Sequence, residues 1–198
     1  MENLRDYKTE TREIEGNTLI FVTEKPRLDC AHACSIDDIM RVLHYFPISD
    51  LEGLELIIFR QPKRKEEILS PAWGRYYPFL EIKKLSGSAI ILESLDLAKP
   101  IRWEKSLQRY GFERMERLRS QGHTVVETPK FYEIFSTLES VRETQLYETL
   151  PHEVGHHVQY LRDENIDQRT KLEKESFAEK YAREFIEKCG PLLNEFNS

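Results

Sequence analysis

His152-Glu153-Val154-Gly155-His156-His157, HEVGHH in one-letter code, contains the pattern HExxH, and the rest of the chain is read outward from it. Residues i and i+4 share one face of an α-helix, so His152 and His156 can each aim an imidazole nitrogen at one metal ion. Glu153 then stands beside the metal, placed to take a proton from the attacking water. The stretch implies a zinc-dependent hydrolase, in the first instance a peptidase. It also demands a third ligand, a scaffold and a substrate groove.

A catalytic zinc site uses three protein ligands and leaves one position open. The six histidines stand at 32, 44, 123, 152, 156 and 157, so none follows the motif. The arrangement HExxHxxGxxH would need a glycine at 159 and a histidine at 162, where the chain has Gln159 and Arg162. No methionine lies downstream for a Met-turn. A third ligand beyond the motif must then be an acid on the next helix. Glu175 fits best, nineteen residues past His156, which leaves room for a turn and a returning helix. Glu173 is second, because it projects away from the face formed by Leu172, Ala178, Ala182 and Ile186. Glu179, one turn after Glu175, is placed to hold the free nitrogen of a ligand histidine.

The segment Glu175-Ser-Phe-Ala-Glu-Lys-Tyr-Ala182 resembles the ExxA(D/N/E)x(F/Y)A signature on the glutamate-bearing helix of gluzincin peptidases. Together with HEVGHH it is similar to the small intracellular ImmA/IrrE-like group, over about residues 147–186. The resemblance implies a minimal zincin-like domain of α+β class: a helix, a small mixed sheet, the HExxH helix, and a C-terminal helix carrying the glutamate. It implies zinc as cofactor, with His152, His156 and Glu175 as ligands and Glu153 as general base.

The remaining elements follow from patterning. Thr18–Thr23 and Leu54–Phe59 are compact apolar runs and are expected as strands. Ser35 caps a helix whose apolar positions Ile36, Ile39, Met40, Leu43 and Phe46 recur at helical spacing before Pro47. A polar turn around Ser49, Asp50 and Gly53 and a loop from Pro62 to Gly74 are expected next. Arg75–Lys83 reads as a strand whose Pro78 suits an edge or a bulge. Gly87–Leu95 is the clearest later strand, proposed as the edge on which a peptide adds. Residues 1–15 read as a loose arm or a short polar helix, with no pattern that decides between them.

Residues 97–140 are expected to be a helical insertion within one domain spanning 1–198, walling one side of a cleft. Trp103, Leu107 and Tyr110 imply a short helix, interrupted at Gly111 and resumed over Phe112–Arg119. His123–Glu127 reads as a short strand. Phe131, Ile134, Phe135, Leu138 and Val141 are spaced for another helix. Thr149 is a candidate N-cap for the motif helix, with Pro151 in its first turn; the alternative is one helix from about Val141, kinked at Pro151. Gly190-Pro191 is expected to stop the last helix.

Composition narrows the function. The chain has 198 residues and a formal net charge of −6, which argues against a general nucleic-acid binder. Basic residues recur at 60–65 and 102–119, interleaved with acids, and read as solvated faces. No run of eighteen apolar residues spans a membrane. The charged start, MENLRDYKTETREIEG, lacks the core of a signal peptide, so a cytoplasmic location is expected. Cys30, Cys34 and Cys189 imply no disulfide framework, and Cys30-Ala-His-Ala-Cys34 has the wrong spacing for a common zinc knuckle. His157, Tyr147, Tyr160, Tyr181, His123 and Arg183 are candidates for an oxyanion stabiliser, and for each of them a place in the core or on the surface is the commoner role. Two function classes result. One is an intracellular zinc endopeptidase acting on a protein or peptide; the other is a binding or regulatory protein that retains the fold.

Overall fold

A computed structural model describes residues 4–105 and 111–194. Over them the chain is α+β, built on a mixed sheet as expected. The undecided N-terminal stretch is a strand, β1 (Tyr7–Ile14), paired antiparallel with β2 (Asn17–Glu24). Glu15 and Gly16 turn between them at φ of 47° and 90°, the left-handed pair of a two-residue hairpin. Most β1 side chains are exposed, so no apolar alternation marks the strand in sequence.

β3 (Cys30–Ala31) leads into α1 (Ile36–Leu43), where Ser35 and Asp38 form a reciprocal capping box. The expected polar turn is a short helix, α2 (Ile48–Leu51), followed by β4 (Leu54–Arg60). The expected loop from Pro62 contains α3 (Arg64–Leu69). Then come β5 (Gly74–Ile82) and β6 (Leu85–Glu93). The strand order is β1-β2-β4-β6-β5, with β4 parallel to both neighbours and the outer pairs antiparallel. β5 lies at the edge, its register broken between Tyr77 and Leu80, where Pro78 cannot donate to a ladder. β6 lies inside the sheet, paired on both sides, so the strand proposed as a peptide-binding edge has no open edge.

β7 (Leu95–Asp96) pairs with β3, and the next segment departs from expectation. It holds β8 (Ile101–Glu104), α4 (Gly111–Ser120), β9 (Thr124–Glu127) and β10 (Phe131–Phe135). The three strands form an antiparallel sheet in the order β8-β10-β9, so the segment is not simply helical. Trp103 sits on β8 rather than on a helix, while Leu107 and Tyr110 lie outside the described residues. Phe131–Phe135 is a strand whose helical spacing was fortuitous; the helix begins only at Leu138, capped by Thr137.

From Leu138 the chain is continuously helical: α5 (Leu138–Thr144), a π turn (Gln145–Thr149) and α6 (Leu150–Arg162). Thr149 is therefore inside a helix and makes no side-chain cap. The wide turn has a cause in Pro151, which lacks an N–H and whose ring would strike the carbonyl four residues back. One residue earlier, the Leu150 N–H reaches the Gln145 carbonyl, five residues away. α7 (Lys171–Asn194) runs past Gly190-Pro191, which is not the expected stop; a proline withdraws one amide donor, and only one turn follows.

The main core lies between one sheet face and the helices. Leu19, Phe21, Ile57, Phe59, Ile90 and Leu92 meet Ile39 and Leu43 of α1, Leu150, Val154 and Val158 of α6, and Phe185 of α7. The other sheet face buries Val22, Leu56, Ile58 and Ile91 with Leu4. Burial on both faces explains why β4 reads as an unbroken apolar run. A third cluster joins Met115, Leu118 and Ile134 to Trp73 and Val141, seating the 101–135 segment against α5.

Candidate metal centre

Leu150, Val154 and Val158 recur every four residues and are wholly buried, each side chain contributing about 1.5–3 kcal/mol relative to exposure. That anchoring fixes the roll of α6. His152 and His156 are displaced by two residues, roughly 200° around the helix, and so lie opposite the core face. α7 crosses α6 at Gly155. A Cβ there would stand 3.0 Å from the Ala178 Cα and 3.2 Å from its carbonyl oxygen, so close backbone approach requires the glycine. The crossing carries Glu175 to the histidines.

His152 Nε2 and His156 Nε2 are 3.1 Å apart. Glu175 Oε2 lies 3.4 Å from the first and 3.9 Å from the second. A tetrahedral centre with metal–ligand bonds of about 2.0–2.1 Å separates its ligand atoms by about 3.3–3.4 Å. The two imidazoles and the carboxylate thus match such a centre in donor type and spacing, and they could hold one ion. No other group of three His, Cys, Asp or Glu side chains among the described residues meets that test.

The electrostatics favour the ligand forms of His156 and Glu175, while His152 must give up a proton to a metal. Burial and the charge of His152 push His156 down to about 4, leaving a neutral ring with a lone pair to offer. Glu175 is lowered, chiefly by the hydrogen bond from His152. His152 is raised: burial opposes its charge, but Glu175 and Glu153 outweigh it. Glu153 is buried beside this trio, and burial pushes its carboxyl up to about 7 against the pull of His152. The Tyr76 backbone on β5 hydrogen-bonds to it. Gly74 lets that strand in, since a Cβ there would fall 2.5 Å from Thr149 Cγ2 and 3.5 Å from Glu153 Cγ.

Several sequence candidates lie elsewhere. His157 is buried on the core side, with Nε2 on the Glu52 carbonyl at 2.9 Å and Nδ1 near Ser88 and Tyr76. His123 is likewise enclosed, by Ser136, Ser140 and Thr144. The Tyr181 hydroxyl donates to Asp50 at 2.5 Å. Tyr147 sits half-buried in the π turn against the main core, Tyr160 packs near Tyr76, and Arg183 is exposed. Glu179 is exposed and accepts no hydrogen bond from either ligand-type histidine, so it does not hold a ring nitrogen here. Glu173 caps α7 through Thr170. Cys30, Cys34 and Cys189 are free thiols, and His32 is tied to the Glu24 carbonyl.

Sequence reasoning passed over two arginines whose charges reach the centre. Arg75 acts on Glu153 from β5, and Arg114 acts on His152 from α4. In sequence Arg75 reads only as the start of a strand, and Arg114 stands in a basic stretch whose interleaved acids make a solvated face the simpler reading. No helix among the described residues is long and apolar enough to cross a membrane. No known protein family, curated protein or solved structure matches the chain.

Proposed function

We propose that the chain is a zinc-dependent endopeptidase of zincin-like, gluzincin-type architecture, acting on a protein or peptide in the cytoplasm. One observation carries the reading: two imidazole nitrogens and a carboxylate from two separate helices converge within 3.9 Å of one another beside a buried glutamate. Buried titratable groups brought together in this way mark functional sites more often than structural ones.

His152, His156 and Glu175 would hold the ion. Zinc bound there would supply Lewis acidity, polarising a scissile carbonyl and making water a better acid. Glu153 accepts the proton of the attacking water and returns it to the departing amine nitrogen. Burial, which pushes this carboxyl up, favours its holding the proton between the two halves of that transfer. The Tyr76 backbone and the wedge at Gly74 orient it.

Metal content and peptide cleavage test the reading together. Wild type should carry one zinc per chain and cleave members of a proteome-derived peptide library. Glu153→Gln should keep the zinc and cleave about 10²–10⁴ times more slowly. A chain that holds no stoichiometric zinc, or a variant as active as wild type, would sink the proposal. Zinc without cleavage of any peptide would favour a binding or regulatory protein on the same scaffold.

A further inference from the structure

The hydrolytic reading gives no role to Arg114, a cation whose charge acts on the site. Arg114, on α4, places its guanidinium 4.6 Å from the centre of the Trp103 ring. Trp103 meets Trp73 edge-on at 5.3 Å, and Trp73 immediately precedes Gly74, the residue wedged against Thr149 and Glu153. Trp73 is thus one residue from the backbone that packs on the general base, and the charge of Arg114 acts on the His152 ring.

Its donors are unused. Arg114 Nε is buried without a hydrogen-bond partner, as is the indole Nε1 of Trp73. The other arginines of this side of the molecule are committed: Arg60 and Arg75 to Glu93, Arg142 to Asp38. Arg114 makes no ion pair and no hydrogen bond among the described residues. A guanidinium held over an indole by its charge can still offer its terminal N–H groups, the fork that matches a carboxylate, to a ligand. Such a fork binds both oxygens of a carboxylate at once, which a lysine ammonium cannot do.

We propose that Arg114 determines substrate specificity by gripping a carboxylate of the substrate beside the scissile bond, with Trp103 holding the guanidinium in place. The inference deepens the peptidase reading and rests on it for the word substrate. The carboxylate can be an acidic side chain or the free C-terminus of a short peptide, and a binding experiment separates the two.

The chain has two tryptophans, both in this stack, so its intrinsic fluorescence reports on the site. The metal-free full-length protein is titrated with three capped tripeptides: acetyl-Ala-Glu-Ala-amide, acetyl-Ala-Ala-Ala with a free carboxylate, and acetyl-Ala-Gln-Ala-amide. A saturable change is expected with one of the acids, which names the source, and none with the neutral peptide. Arg114→Met should weaken that binding about tenfold or more, the scale of one charge-assisted hydrogen bond. Arg114→Lys, which keeps the charge and loses the fork, should recover only part of it. Equal response to acid and neutral peptides, no response to either acid, or undiminished binding by Arg114→Met overturns the proposal. None of these outcomes needs zinc or turnover, so they are independent of whether the chain cleaves peptides. In the zinc-loaded enzyme, the ratio of kcat/KM for acid-bearing over neutral peptides should fall by a similar factor in Arg114→Met. A loss shared equally by both classes would place Arg114 on the reacting carbonyl and also overturn it. A melting curve of Arg114→Met matching wild type confirms that the loss is not one of folding, and Arg114→Lys serves if it does not match.

Discussion

α6 and α7 on one side, and the 101–135 segment on the other, are built from different kinds of information. Each helix of the pair carries its own instructions: Leu150, Val154 and Val158 set the buried face of α6, and small residues, Gly155 on one helix and Ala178 on the other, mark where the two cross. The smaller sheet is specified at a distance. Arg102 pairs with Glu133, thirty-one residues on, and Lys105 with Glu127, twenty-two on. A centre whose donors must meet within tenths of an ångström sits on the first kind of element. The segment that we assign to substrate recognition is of the second kind, and strand pairs of this sort tolerate changed loops and side chains more readily.

The largest effect expected from testing that contrast lies in the second region. Leu118 is fully buried between α4 and the α5 side of the core, and Leu118→Ala should cost about 2–5 kcal/mol in urea unfolding. If the segment is integral to the fold, the whole far-ultraviolet transition moves. If Leu118→Ala leaves that transition in place while tryptophan fluorescence shifts early, the segment unfolds as a separate flap, and the contrast becomes one of cooperativity.

A smaller loss is expected in the helix pair, with a larger consequence for metal. Gly155→Ala gains about 1 kcal/mol of helix propensity but sets a Cβ 3.0 Å from backbone that can yield only by moving the whole helix. Overpacking of that kind costs about 1–3 kcal/mol, so the net loss is about 1–2 kcal/mol or less. Because relief comes by moving α7 outward, zinc affinity should fall further than stability does, by about tenfold, as for a disturbed supporting shell. Zinc titration of the variant with unchanged affinity would show that Glu175 does not depend on this crossing.

The same contrast explains what could be read in the chain beforehand. HExxH, the capped helix at Ser35, the buried run of β4 and the bulged edge strand at Pro78 are all encoded within a few residues. Glu175 was reachable because helix spacing extrapolates reliably over a single turn and return. What failed was either exposed, as in β1, or dependent on partners far along the chain. Phe131, Ile134 and Phe135 fit a helical period and a strand equally over five residues, and only pairing with β8 and β9 decides between them. Glu179 failed for a different reason. Spacing fixes the face on which a side chain starts, whereas hydrogen bonding depends on where it ends. His157 shows the same limit: one residue from a ligand-type histidine, it is locked into the core by Glu52, Ser88 and Tyr76.

His123 gives the smallest expected effect and the most local. It links the small sheet to α5, through Ser136 and Ser140 at Nδ1 and Thr144 at Nε2. The Thr144 hydroxyl donates onward to Gln121 at 2.7 Å, so it accepts from His123, which must carry its proton on Nε2. Nδ1 is then an acceptor, and the Ser136 hydroxyl, 2.9 Å away, donates to it. Burial lowers the pKa of His123, with a hydrogen bond at Ser140 acting the other way. A histidine with a depressed folded-state pKa stabilises the fold fully above its unfolded value, about 6.5, and loses that contribution as pH falls toward the folded value. Protonation of Nδ1 also sets an N–H against the Ser136 donor, and the hydroxyl must turn away. Trp73 lies 5.5 Å from the ring, so its fluorescence should change in mild acid, below about pH 6.5, before the main core unfolds. His123→Gln, which cannot titrate, should flatten that change. An acid transition identical in wild type and His123→Gln would show that the two regions separate for some reason other than this buried ring.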